Sequence, residues 1–172
     1  VRQGLVIDVE ATGPHPVSYS MIQIGAVDLN GAEFTCKMRP RIGSNCDAGA
    51  LKAIGVTYEE AWDRPNPKTQ MLLFDEFLLD TYGNNRITSW SDNPAFDWQF
   101  INADMHEYTG GNRLGFSMRR IGDLYAGHMQ DPRKATAWKK FRKTRHTHDA
   151  LDDARGNAEA LKKILGMIER KK

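Results

Sequence analysis

The feature that most restricts the fold of this 172-residue chain is a turn near its start. Met21 to Leu29 (MIQIGAVDL) and Ala32 to Met38 are both rich in strand formers. Asn30-Gly31 between them is the pair that a tight hairpin turn demands, because both positions take a positive φ. Gly4 to Val9 reads as a further strand ahead of this hairpin, so the chain opens as an antiparallel meander. Arg39 to Ala48 is turn-rich. The period then changes. Thr57-Tyr58-Glu59-Glu60 is a capping box and predicts a short helix. Pro67 to Tyr82 carries Met71, Leu72, Phe74, Phe77, Leu78 and Leu79 at helical spacing, with Pro67 suited to a first turn and Gly83 to a stop. Arg86 to Trp90 is a short fourth strand, and Asn93-Pro94 reads as a cap and first-turn proline opening a helix to about Tyr108. Phe116 to Ile121 is a fifth strand, a short helix follows near Asp123, and Asp149 to about Arg170 is a final amphipathic helix. No repeat, low-complexity tract or linker divides the chain, so residues 1–172 are expected to form one domain. A meander followed by helices alternating with strands predicts an α/β sandwich around a mixed sheet.

Charge is unevenly spread. The chain has 24 basic and 22 acidic residues. The segment RKATAWKKFRKTR, Arg133 to Arg145, holds seven of the basic ones and no acid; without it the balance falls to 17 against 22. Such a block, with Trp138 and Phe141 among the cations, suits phosphates and stacked bases, and it equally suits a solvated loop. Cys36 and Cys46 show no metal-type spacing, which argues against a zinc site and against a disulfide framework. No apolar run approaches the roughly 18 residues of a membrane span, and no signal segment opens the chain. A cytoplasmic protein that binds no membrane is the expectation.

The chemistry sits in three places. In VIDVEATG, Asp8 and Glu10 are two apart on a strand and share a face. Paired carboxylates repel, and burial makes this worse, so exposure, protonation or cations must compensate. Clustered oxygens suit magnesium or manganese. On its own, D-x-E on a strand most often marks an exposed edge or a surface ion pair. In SWSDNPAFDWQF, Asp97 enters the first turns of a helix, where the dipole alone would favour an acid. In HTHDALDDARGNAEAL, His148 and Asp153 would lie roughly 140° apart on one helix, which places His148 in the loop before it and Asp153 in its early turns. A loop imidazole can take a proton near neutral pH. His146 competes with His148, but the residue five beyond it is Leu151, which binds nothing. Four carboxylates on separate elements plus one loop imidazole are the inventory of a two-metal phosphodiesterase.

In that order these motifs resemble the DEDDh branch of the 3′-to-5′ exonucleases, the superfamily with a ribonuclease-H-like fold that includes polymerase proofreading subunits, oligoribonuclease and ribonuclease T. VIDVEATG is similar to the first motif, NPAFDWQFI to the second and HDALDDA to the third, while ALKAIGVT resembles a stretch that often reads A-x-x-x-H-G-I-T. Ile54 stands where many relatives carry histidine, and Asp92-Asn93-Pro94 stand where the second motif often has His-Asn. Asp149 occupies the place of the tyrosine of the DEDDy branch, which favours the histidine branch.

The resemblance implies a three-layer sandwich with a mixed five-stranded sheet, and one 3′-5′ exonuclease domain releasing nucleoside 5′-monophosphates from the 3′ end of DNA or RNA, with a slight lean to DNA. It implies two Mg²⁺ or Mn²⁺ ions held by Asp8, Glu10, Asp97 and Asp153, and His148 as the base that takes a proton from water. Ala11, Gly13 and Thr12, the last with its side chain, would touch the terminal nucleotide. Lys139, Lys140 and Arg142 would hold upstream phosphates, and Trp138, Phe141 or Trp98 would stack on a base or sit in the core. Homodimers occur among the relatives. The alternative is a non-catalytic nucleic-acid-binding or polymerase-associated module of the same fold, disfavoured because a pure binder has no need of a costly acidic cluster. A ribonuclease-H-like endonuclease is disfavoured by the histidine motif, and a serine or cysteine hydrolase has no motif to support it.

Overall fold

The computed structural model describes residues 4–170. The opening meander is β1 (Leu5–Ala11), β2 (Met21–Asp28) and β3 (Glu33–Lys37). Helices α1 (Ala48–Ile54), α2 (Tyr58–Trp62) and α3 (Pro67–Tyr82) follow, then β4 (Ser89–Ser91), α4 (Pro94–Thr109), β5 (Arg119–Arg120), α5 (Ile121–Met129) and α6 (Ala150–Glu169). The sheet order is β3-β2-β1-β4-β5. β1 pairs antiparallel with β2 and parallel with β4, which makes the sheet mixed. The predicted fourth and fifth strands shrink to three and two residues, and the basic segment takes two 3-10 turns, Pro132–Lys134 and Ala137–Phe141.

Strand alternation sorts the core into two layers. Leu5, Ile7, Val9 and Ala11 of β1 face the helices α3 and α4, packing with Phe74, Leu78, Phe100 and Ile101. Val6 faces the other way, into a layer with Trp138, Ala154, Ala158, Leu161 and Ile164. Asp8 and Glu10 continue the Val6 side, so the two acids project beneath the start of α6. All eight residues of β2 are buried, as expected for a strand with neighbours on both edges and helices on both faces.

Gly25 sets the separation of α6 from the sheet. It pairs with Asp8 across the β1–β2 ladder, and a Cβ there would sit 2.1 Å from the Ala150 carbonyl oxygen. Because it is glycine, the first turn of α6 lies directly on the sheet beside Asp8.

Two local readings change. α1 forms in a stretch for which the sequence predicts no element: Asp47 caps it by accepting from the Ala50 amide at 2.8 Å, and Gly55 at φ 73° ends it. Asn93 occupies the cap position of α4 but forms no side-chain cap bond; its own amide donates to Ser91 Oγ at 2.8 Å. The Thr57–Glu60 capping box forms as read, with bonds of 3.2 and 2.8 Å.

Candidate active site

Four elements meet at the end of β1. The β1–β2 register shifts between Glu10 and Ala11, a local irregularity of the kind that re-aims side chains next to a site. β4 ends too early to cover this end of β1. The Val9 amide therefore donates to Asp97 Oδ1 of α4 at 3.1 Å. The Ser91 hydroxyl donates to Asp97 Oδ2. Asp97 is thus fixed with both oxygens accepting from protein.

The third motif folds back on itself. His148 has φ 60°, the left-handed conformation that histidine adopts more readily than most residues. Asp149 then caps α6, accepting from the Leu151 amide at 3.1 Å and from the Asp152 amide at 3.4 Å. Its other oxygen accepts from Gln23 of β2 at 2.9 Å. Asp153, buried in the first turn of α6, accepts from the Thr147 and His148 amides, each at 3.1 Å. The five-residue spacing is therefore a closed loop: the carboxylate of the helix holds the backbone that carries the imidazole.

Asp8, Glu10 and Asp153 each present an oxygen within 4.8 Å of the other two. Asp97 lies against them but belongs to no such tight triad. Burial, then the charges of Asp97, Glu10 and Asp153, hold the Asp8 carboxyl well above the ordinary carboxylate range, and Arg142 works against this. Glu10 is pushed up to about 8, by burial first and then by Asp153 and Asp97. Burial lifts Asp97 to about 7 against the lowering effect of its bonds to Ser91 and Val9. Three converging oxygens whose charges are mutually unfavourable, with one nearby cation, form a donor set that fits hard divalent ions.

His148 Nδ1 stands 4.0 Å from Glu10 Oε1 and is well exposed. His146 is the residue that sequence reasoning set aside. Its Nδ1 lies 2.8 Å from Asp153 Oδ2, and its ring meets that of His148 edge-on at 4.4 Å. The left-handed turn at His148 brings it back to Asp153, a contact that counting five residues forward could not find; the His-x-His spacing was the available signal.

A cleft of about 370 Å³ opens beside these groups, with Glu10, Ala11, Gly13 and His148 on one side and Ala53, Ile54 and Phe96 on the other. Ala11 and Gly13 line it. Thr12 does not: it is fully buried, its hydroxyl donates to the Asn45 carbonyl at 2.8 Å and accepts from the Ser20 amide at 2.9 Å. Its side chain ties the loop to its neighbours and has no face for a nucleotide. The apolar wall supplied by α1 and Phe96 was not read from the sequence.

The basic segment is also corrected. Trp138 is completely buried, so it cannot stack on a base. Phe141 meets Tyr125 edge-on at 5.6 Å, and Trp98 packs against the core on the α3–α4 face. The Arg142 side chain is 11% exposed, bonds Asn157 and lies 3.4 Å from Asp92. It is a fixed internal cation beside Asp8, with no freedom to hold upstream phosphates. Lys139 pairs with Asp92 at 2.6 Å, while Lys140 is exposed over the Phe141 ring.

The family described as Exonuclease matches residues 5–161, from the start of β1 into α6. The chain belongs to the exonuclease family. Along 96% of its length it is similar to the 3′-5′ DNA exonuclease Cap18 of Escherichia coli, with 31% identity over 175 residues that span 93% of that protein. The chain is a 3′-5′ exonuclease. The fold is that of the nuclease domain of 3′hExo, a DEDDh family member bound to rAMP, with a TM-score of 0.70 at 17% identity, covering 95% of this chain and 91% of that one. It is also that of a zinc-bound E. coli ExoI–ssDNA complex, with a TM-score of 0.73 at 17% identity, covering 99% of this chain and 42% of that one. The exonuclease thus has the mixed-sheet, ribonuclease-H-like architecture that the motif order implies. No helix among the described residues is long and apolar enough to cross a membrane.

Proposed function

We propose that the exonuclease removes nucleoside 5′-monophosphates from the 3′ end of DNA, using Asp8, Glu10, Asp97 and Asp153 to hold two Mg²⁺ or Mn²⁺ ions and His148 as general base. The observation that carries this reading is the convergence of Asp8, Glu10 and Asp153 oxygens within 4.8 Å. Bound there, such ions supply charge neutralisation for the attacked phosphate and for the leaving 3′ oxygen. Asp97 adds charge from one side while its oxygens stay anchored to Val9 and Ser91. His148, exposed at the cleft mouth, takes the proton of the attacking water and passes it to solvent. Asp153 fixes the loop that carries it. His146 keeps Asp153 in place through its contact at 2.8 Å. Ala11 and Gly13 line the cleft on the side of Glu10, and Ile54 and Phe96 give the terminal base an apolar wall.

The choice of DNA rests on the name and high coverage of Cap18. The same reading takes residues 1–172 as one exonuclease domain in the cytoplasm and includes a homodimer, checked by light scattering. The test is degradation of matched 5′-labelled DNA and RNA oligonucleotides with Mg²⁺, Mn²⁺ or EDTA. Stepwise shortening of DNA from the 3′ end, abolished by EDTA, is expected. Loss of RNA at the faster rate would overturn the substrate, and undiminished cleavage in EDTA would overturn the metal assignment. A circular strand should survive intact.

A further inference from the structure

The opposite end of the strands carries a second concave site. Leu5, at the start of β1, pairs with Ser89, at the start of β4. Glu10 lies five residues further along β1, roughly 16 Å away at the rise of a strand. At this distant end the segments entering β4 and β5 enclose a cavity of about 260 Å³, lined by Arg86, Arg113 and Arg119 together with Phe116, Ser89 and Ser117.

Its charge is only partly compensated. No acidic residue lines it. Arg113 is held by Asp75 at 2.6 Å, which offsets one of the three guanidiniums. Arg119 lies over the Trp90 ring at 5.4 Å, a contact that does not neutralise it. Arg86 is exposed and has no carboxylate partner among the described residues.

The aromatic ring beside these cations is held out into solvent by the fold. Leu114 is buried in the core and anchors the loop, and its amide accepts no freedom because it donates to Asn112 Oδ1 at 2.9 Å. Gly115 at φ 79° reverses the chain, its amide donating to the Asn112 carbonyl at 3.1 Å. The next residue, Phe116, is 98% exposed. A fully exposed phenyl beside unneutralised guanidiniums pairs a stacking platform with phosphate donors, the two requirements for binding a nucleotide.

We propose that this cavity is a second nucleotide site, in which Arg86 and Arg119 hold a phosphate and Phe116 stacks on the base. The cavity has room for one unit, either a free nucleoside monophosphate or one nucleotide of a strand. This inference does not rest on the catalytic assignment. The two sites also separate experimentally: without divalent ions the acid cluster offers phosphate no metal to bind, whereas the arginine cavity needs none.

The experiment measures binding to the full chain in EDTA, by calorimetry with deoxyadenosine monophosphate and by anisotropy with a labelled phosphorothioate oligothymidylate. Arg86→Ala and Phe116→Ala are the variants; both side chains are exposed, so neither removes core packing. If the cavity takes the free nucleotide, each variant weakens monophosphate binding at least about tenfold. If it takes a strand, each weakens oligonucleotide binding to that extent, and Arg86→Ala lowers the salt slope by about 0.7. Mg²⁺-dependent turnover of a dinucleotide stays at the wild-type rate in both variants. The proposal is overturned if neither ligand binds in EDTA, or if both bind the variants as tightly as the wild type.

Discussion

The carboxyls of Asp8 and Glu10 retain protons that free side chains would lose, because burial first, and then the charges of Asp97 and Asp153, oppose ionisation. The sign of the consequence follows for Glu10, which titrates near 4.5 when unfolded and near 8 when folded. A raised carboxyl favours the folded state while protonated, so its contribution is full below about pH 4.5 and is lost as pH rises through about 8. Without divalent ions the melting temperature should therefore fall between about pH 5 and 8, and added Mg²⁺ should raise it more at the upper end. A flat profile, or equal Mg²⁺ effects at both pH values, would deny that these carboxyls face one another in solution. His148→Ala should lower kcat about 10²- to 10⁴-fold while leaving Mn²⁺ affinity near the wild-type value; an unchanged kcat would move the base elsewhere. At this scale the acids and His148 were legible because residue type and spacing state their chemistry. Thr12 and His146 were not, since the partners that bury one and recruit the other lie elsewhere in the folded loop.

Among the elements, the seating of α6 on β2 matters most. It depends on Gly25, whose missing side chain lets the Ala150 backbone approach and carries Asp153 toward Asp8. Gly25→Ala should destabilise the fold by about 1–3 kcal/mol, measured by urea unfolding. Activity should fall by more than the unfolded fraction explains, because the surviving folded protein holds α6 away from the acids. Wild-type activity with wild-type stability would show that the contact does not set the site. The meander, α3 and α6 were readable from turn chemistry and apolar period, which are local properties. α1 escaped because its seven residues bury little beyond Leu51. β5 is two residues held by pairing with β4, a tertiary contact that leaves no period in the sequence.

Over the whole molecule, the sheet divides one apolar core from a second layer into which the acids project, and the candidate site lies where β1 outruns β4. The basic segment closes this second layer. Arg142→Ala should cost about 1–3 kcal/mol of stability, since it leaves buried Asn157 without its partner while Asp92 keeps Lys139, whereas Lys140→Ala should stay within about 0.5 kcal/mol. Equal effects from the two would return the segment to a solvated loop. The charge count located this segment but could not say which cations had turned inward; that depends on Trp138 being swallowed by the core. The central claim, that the motifs converge on a site for paired cations, is tested most directly by counting Mn²⁺ bound per chain by electron paramagnetic resonance, in the presence of a non-cleavable DNA oligonucleotide. The account predicts two ions in the wild type and at most one in Asp8→Asn. No bound ion in the wild type, or a full complement in the variant, would contradict it.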